Sequence, residues 1–359
     1  MKKNINISKI LFYSIYAFIT LLLIGGIIFV SLKLYNYLDN YERSLDKYEA
    51  EEMFNEYFSP CKFDKLYDMQ EISLTEFESK NDFVSYMEKK IEGKTITYRE
   101  VPAGLGQIKK YRIYADKTYF SEFTLTENSN PATPEDTWSL DTISLVYSTD
   151  ESIKIKAFTT SKLSLNGVEI NDSHITENNI QTESCSRVPE GVNGIMYREY
   201  TIDNLLLKPI LTAIDRNGNE STFVFDEETQ TYVEQMNYDI PTEELKTHIQ
   251  NAAQTYAKYM TLDATLYSMS RYFDTKSKIY KSITTTEIQW FTPHIGYEFK
   301  DIEFKEYYIY DENTFSVRYV CNQYIYRTST ESHLFPLDLT LYFKNINGTY
   351  YIFDLISNV

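Results

Sequence analysis

Residues Ile10 to Leu32 carry no charge, and nothing else in the chain limits its arrangement so strongly. A helix rises about 1.5 Å per residue, so this run extends about 34 Å, slightly more than the roughly 30 Å hydrocarbon core of a bilayer. It reads as one membrane span with a modest tilt, ending at Ile10 and Leu32. Tyr13 and Tyr16 lie near one end, where aromatic rings favour the interface. A secretory signal peptide also has a basic start and an apolar core, but that core is usually about 7 to 15 residues and closes on a small-residue cleavage site. Here the longer run leads into Ser31-Leu32-Lys33-Leu34-Tyr35, which favours an anchor that stays in place.

Three lysines, Lys2, Lys3 and Lys9, precede the run with no acid among them, whereas Asp39, Glu42, Asp46 and Glu49 soon follow it. Basic flanks stay on the cytoplasmic side. Residues 1–9 are therefore expected to form a cytoplasmic tail, 10–32 the anchor, and 34–359 an extracellular portion reached by a single pass. No lipidation signal competes with this reading, since an N-terminal M-G is missing and Cys61 lies far beyond the apolar run.

The chain holds 35 Lys and Arg against 52 Asp and Glu, and its first 33 residues contain four lysines and no acid. Removing them leaves 31 against 52, a formal charge of −21 outside the membrane. Such an excess repels polyanions and argues against nucleic acid as a partner, while cationic partners are favoured. It also serves simply to keep an exported protein soluble. Cys61, Cys185 and Cys321 are odd in number and far apart, with no C-x-x-C spacing for zinc or redox chemistry. So few cysteines in an exported chain of this size fit a bacterial source better than a eukaryotic one.

About 325 residues beyond the anchor give a prior of two or three domains, and the punctuation favours three. In the first, 34–150, Leu34, Leu38, Tyr41, Leu45 and Tyr48 follow heptad spacing over about two heptads, short of the three or four that a coiled coil needs. That seam is expected to pack on the domain's own sheet and to make the span continuous with the domain. Helical patterns run on to Ile91, and after Gly93 alternating segments from Thr95 to Tyr147 read as an antiparallel meander. Helices followed by strands define an α+β order rather than a doubly wound nucleotide fold.

The second, 151–237, consists of short strands, with Asn166-Gly167 as a strong hairpin signal inside Leu163 to Ile170. A small Ig-like β-sandwich is expected there. The third, 238–359, opens with acids after Pro241-Thr242, where they meet the positive end of a helix dipole. An apolar face follows at Leu245, Ile249, Ala252, Tyr256, Tyr259 and Met260, then helical stretches through Leu266, Met269, Tyr272 and Phe273 and around Ile279, Ile283 and Trp290, then four strands, the last two joined at Asn347-Gly348. Setting Tyr111 on Tyr307 matches Ile113 with Ile309, Tyr114 with Tyr310 and Thr118 with Thr314, which reads as an internal duplication.

The third segment, with Ala252-Ala253-Gln254-Thr255-Tyr256-Ala257, Ser277-Lys278-Ile279-Tyr280 and the close from Asn347-Gly348-Thr349 to Asp354, resembles NTF2-like (cystatin-like) domains. The first resembles a diverged copy, and the middle is similar to small all-β modules found between such domains. The resemblance implies export behind a single N-terminal anchor in Gram-positive bacteria, and a curved sheet wrapped by helices into a cone. Enzymes on that scaffold keep a carboxylate or histidine and a tyrosine inside the cone. The residues placed to match here are Asp263, Tyr272, Asp274 and His294.

Read by themselves, His174, His248, His294 and His333 are isolated, with no H-E-x-x-H or other metal spacing. Gly104-Leu105-Gly106 lacks the lysine and following glycine of a phosphate loop, and Asp226-Glu227-Glu228 lacks the order of a calcium loop. No catalytic residue, cofactor or metal is therefore expected. The expectation is a non-enzymatic surface protein that meets the lipid bilayer through its helix. Its terminal domain would be presented to an envelope protein, a wall component or a cationic peptide, with the oligomeric state open. The alternative is a small-molecule pocket in the third domain.

Overall fold

A computed structural model describes residues 7–102, 108–285 and 293–358, with the side chains of residues 7, 8 and 10 left aside. Gly104-Leu105-Gly106, Trp290, the first six residues of the expected tail and the Ile10 side chain lie outside the described residues. The chain is a mixed α+β protein with an N-terminal apolar helix and, among the described residues, four sheets. Its contacts divide it into two units, Met1–Glu151 with Asn204–Lys208, and Ser152–Asp203 with Pro209–Val359.

The first unit opens with α1 (Ile7–Arg43), which runs unbroken through the apolar run. It is followed by α2 (Asp46–Tyr57), α3 (Phe63–Asp68) and α4 (Lys80–Ile91). Ser79 and Asp82 close a reciprocal capping box at the start of α4, satisfying backbone donors that the helix leaves unpaired. The strands β1 (Ile96–Val101), β2 (Ile108–Ala115), β3 (Thr118–Glu127) and β4 (Trp138–Leu145) pair in sequence order, all antiparallel. Alternation decides which face is inward: Tyr111, Ile113 and Ala115 of β2 and Phe123 and Leu125 of β3 are buried against Phe58, Phe63, Leu66, Phe83 and Met87 of the helical layer. Leu206 completes this core, and its N–H donates to Glu78 Oε1 at 2.7 Å.

One expectation is corrected here. Leu34, Leu38 and Tyr41 do not pack on the sheet; they are 55%, 53% and 59% exposed on a helix that continues straight out of the apolar run. The helix breaks only at Ser44-Leu45, and the chain turns toward the sheet afterwards, where Trp138 Nε1 donates to Ser44 O at 3.1 Å.

The second unit begins with all-β structure: β5 (Glu151–Phe158), β6 (Lys162–Leu165), β7 (Val168–Glu169), β8 (Ile175–Gln181), a short helix α5 (Glu183–Arg187), β9 (Met196–Leu205), β10 (Leu211–Ile214), β11 (Phe223–Asp226) and β12 (Thr231–Glu234). Two sheets result, ordered β10-β6-β7 and β11-β12-β5-β9-β8. Asn166 and Gly167 both take positive φ, 50° and 83°, the geometry of the turn that matches strand twist and joins β6 to β7.

Its remaining part has, among the described residues, three helices, α6 (Glu243–Met260), α7 (Leu266–Ser270) and α8 (Lys278–Thr285), then β13 (Gly296–Asp311), β14 (Thr314–Tyr326), β15 (Ser332–Ile346) and β16 (Thr349–Ser357). The four strands form an antiparallel sheet in sequence order, and Asn347-Gly348 turns the last pair with φ of 54° and 86°. Ile249, Ala252 and Ala253 of α6 meet Phe315, Val317, Tyr319, Leu341, Phe343 and Ile352 in one core. The windows matched in the sequence both form hairpins, β2–β3 and β13–β14. They differ in place, being the second and third strands of one sheet and the first and second of the other.

Candidate functional site

The four residues singled out in the sequence do not converge. Asp263 lies just past the C-terminus of α6, and His294 Nε2 meets its carboxylate at 2.9 and 3.1 Å, with the His294 side chain only 6% exposed. Thr261 Oγ1 donates to the same carboxylate at 2.6 Å. Tyr272 sits elsewhere, its ring 5.7 Å from that of His248, whose Nε2 is 2.8 Å from Tyr350 O.

Asp274 is buried in a turn before α8, where its Oδ1 accepts from the Lys276 N–H at 3.0 Å and its Oδ2 lies 2.6 Å from Lys344 Nζ. Burial alone would raise its pKa; the Lys344 hydrogen bond and charge outweigh that and hold it below the ordinary value. Asp274 and Lys344 line an open cleft of about 730 Å³ together with Arg187, Lys276, Lys278 and Asp354. Arg187 Nη1 is 3.2 Å from Asp354 Oδ2, so two of the four cations there already face carboxylates.

A different concavity lies between the end of α6 and the sheet. It is a cavity of about 210 Å³ whose wall includes Tyr256 and Met260 of α6, Ile325 of β14, and Phe335, Leu337 and Leu339 of β15. Thr261, Gln323 and Ser357 are the other polar side chains on it. Gln323 is 4% exposed, and its Nε2 is buried with no hydrogen-bond partner. Among the described residues the one other such side-chain atom is Ser221 Oγ. Leaving a buried donor unmade costs about 1–3 kcal/mol, so the amide nitrogen of this wall residue is a standing cost in the fold.

Sequence reasoning missed Gln323, although a signal was present. In β14 the inward phase reads Val317, Tyr319, Cys321, Gln323, Ile325, and every member is buried. A carboxamide in that phase is the one strongly polar group among apolar or aromatic neighbours. Deeper along the same strand Tyr319 Oη accepts from Gln254 Nε2 at 3.1 Å, so the adjacent buried polar group is satisfied where Gln323 is not.

Cys61, Cys185 and Cys321 are unpaired as disulfides. Burial pushes the Cys61 thiol up to about 11 and raises Cys321 too, which keeps both protonated at neutral pH. Among the described residues no group of three or more His, Cys, Asp or Glu is placed to hold a metal ion.

No family model matches the chain, and no curated protein matches it. A solved structure described as an Ntf2-like protein involved in plasmid conjugation is similar over 78% of this chain and 89% of its own, at 9% identity and a TM-score of 0.24. At that score the likeness carries no argument about activity or partners.

Proposed function

We propose that this chain is a single-pass membrane-anchored, extracellular binding protein whose C-terminal NTF2-like (cystatin-like) domain takes up a small, largely apolar molecule with one hydrogen-bond acceptor. The orphaned Gln323 Nε2 in an apolar cavity of about 210 Å³ carries this reading. Hydrocarbon walls supply affinity, and the unsatisfied Gln323 amide, with the Tyr256, Thr261 and Ser357 hydroxyls on the same wall, favours a carbonyl or ether over a plain alkane, because only the former offers an acceptor.

A binder fits the lining better than an enzyme. Among the described residues the cavity wall has no carboxylate, histidine or cysteine, the groups that most readily move a proton near neutral pH. Among the described residues Tyr256 is the sole titratable group there, and burial pushes its pKa up. Asp263 and His294 stand one residue removed, behind Thr261. Anchoring is supported by α1, which has the length and hydropathy to cross a bilayer and buries none of its most apolar window. The resemblance to NTF2-like domains and the formal charge of −21 outside the anchor support presentation at a cell surface.

Titration of the detergent-solubilised chain with 2-octanone, followed by NMR or thermal shift, tests the cavity. Saturable binding, weakened about tenfold in Gln323→Leu, is expected from loss of one hydrogen bond of about 1.4 kcal/mol. No binding, or equal binding by the variant, rejects the reading.

A further inference from the structure

We propose that α1 is an interface between parallel copies of this chain, formed by one heptad seam that begins inside the apolar run and continues past it to Tyr41. The segment 33–43 shows the pattern most plainly. With Leu34 and Tyr41 at d and Leu38 at a, Tyr35 and Tyr37 fall at e and g. Lys33, Asn36, Asp39, Asn40 and Arg43 fall at b, c and f, and Glu42 is the one charge at an e position. Lys47 Nζ, 3.5 Å from its carboxylate, offsets that charge. Apolar residues therefore occupy the seam and its flanks, and polar residues the outer face, as two-stranded packing requires.

In the structure this face, like the other faces of α1, is uncovered by the chain's own domains. Leu34, Leu38 and Tyr41 are each more than half exposed and Tyr37 is 68% exposed, although the helix beneath them is intact. The register also extends further back than the segment outside the run. Ser31, Ile24 and Ala17 continue the a positions, and Ile27 and Thr20 the d positions. From Ala17 to Tyr41 the register spans more than three heptads, with Thr20 and Ser31 as its two hydroxyl-bearing positions inside the apolar run. Three of the seven a and d positions within the apolar run are small (Ala17, Thr20 and Ser31), which lets helices approach closely where lipid offers no hydrophobic drive.

A seam with a 3.5-residue repeat is matched by a helix of the same repeat, the two supercoiling around each other. Among the described residues the other long helix is α6, and its apolar face is already buried in the C-terminal core. A second copy meets the requirement directly. Copies anchored in one bilayer point the same way at the same depth, so identical seams face each other in register. The proposal takes only this parallel sense from the anchor reading.

Disulfide mapping of the full chain in membranes tests it. In a Cys61→Ser, Cys185→Ser background, single cysteines replace residues 34, 38 and 41 on the seam, and 36, 40 and 43 on the outer face; Cys321 is buried and stays. Mild oxidation is expected to give dimer at 34, 38 and 41 at least fivefold above that at 36, 40 and 43. Equal yields at all six positions, or none on the seam, overturn the proposal and leave that face to lipid headgroups. Sedimentation of the solubilised wild type gives a second reading. More than one copy per particle is expected, reduced to one by Leu34→Ala, Leu38→Ala, Tyr41→Ala together, and a wild type that is monomeric overturns it. Carbonate extraction of the same membranes separates the two readings: a chain that leaves the membrane yet cross-links on the seam defeats the anchor and not the seam.

Discussion

Lys344 Nζ lies 2.6 Å from Asp274 Oδ2, tying the end of β15 to the turn that precedes α8. Asp274 is buried and Lys344 about two-thirds so, which makes this pair more than a surface contact. Its carboxyl is held below the ordinary value in the folded chain. The stabilisation is therefore fully present above about pH 4, the unfolded carboxylate's range, and is lost as pH falls through the lower folded value. Lys344→Met removes the partner and leaves a buried charge, with an expected loss of about 2 kcal/mol at pH 7. Urea unfolding at pH 7 and pH 3 checks this: the gap between wild type and variant should shrink at the lower pH, where the variant's Asp274 is protonated.

Gly194 is fixed by crowding. A Cβ there would stand 2.5 Å from the Cys185 Cα and 2.6 Å from its backbone nitrogen, so α5 would have to move. Gly194→Ala is expected to destabilise by about 1–3 kcal/mol through overpacking. Gly218, at φ +84° with open space around it, is the control: Gly218→Ala carries only the backbone cost of about 1 kcal/mol. Thermal unfolding of both variants reads the difference, and equal losses would place the constraint in the backbone alone.

Arg216 fastens the β-rich part of the second unit to its C-terminal sheet. Its guanidinium donates to Ile309 O, lies 3.2 Å from Asp239 Oδ2 and stacks 3.8 Å from the Tyr308 ring centroid. A planar fork can do all three at once, whereas a lysine ammonium cannot. Arg216→Lys is expected to cost about 1–2 kcal/mol despite keeping the charge. Limited proteolysis between residues 235 and 243 should quicken in step.

These contacts mark the boundary of what the sequence discloses. Asn166-Gly167 and Asn347-Gly348 were legible because a two-residue turn with positive φ at both positions admits few residue types. The meander of β1 to β4 and the four strands after α8 were legible from alternation, since period two reports one buried face directly. The seam at Leu34, Leu38 and Tyr41 was legible as an apolar face but not as to its partner, because periodicity says that a face wants cover and not what supplies it. The parallel pairing of β12 with β5 joins strands more than seventy residues apart and leaves no local mark. Gln323 stood in the inward phase of β14 all along, yet its importance depends on an empty volume beside it that only three-dimensional packing defines.

The orientation of α1 yields the last prediction. Lys2, Lys3 and Lys9 precede the apolar run without an acid, and Asp39 and Glu42 follow it. Translocation retains the more basic flank, so the side carrying Asp39 should face outward. Asp39 lies on α1 beyond Lys33 and is about one-third exposed at its side chain, within reach of a reagent in solution. In the Cys61→Ser, Cys185→Ser background, Asp39→Cys should react with a membrane-impermeant maleimide on intact cells, whereas Lys3→Cys should react only after lysis. Changing Lys2, Lys3 and Lys9 to glutamine removes the retention signal and should raise the fraction with the reverse labelling pattern. If the wild-type pattern is already reversed, the basic flank does not set the topology, and the acidic domains lie on the cytoplasmic side, where the proposed extracellular role fails.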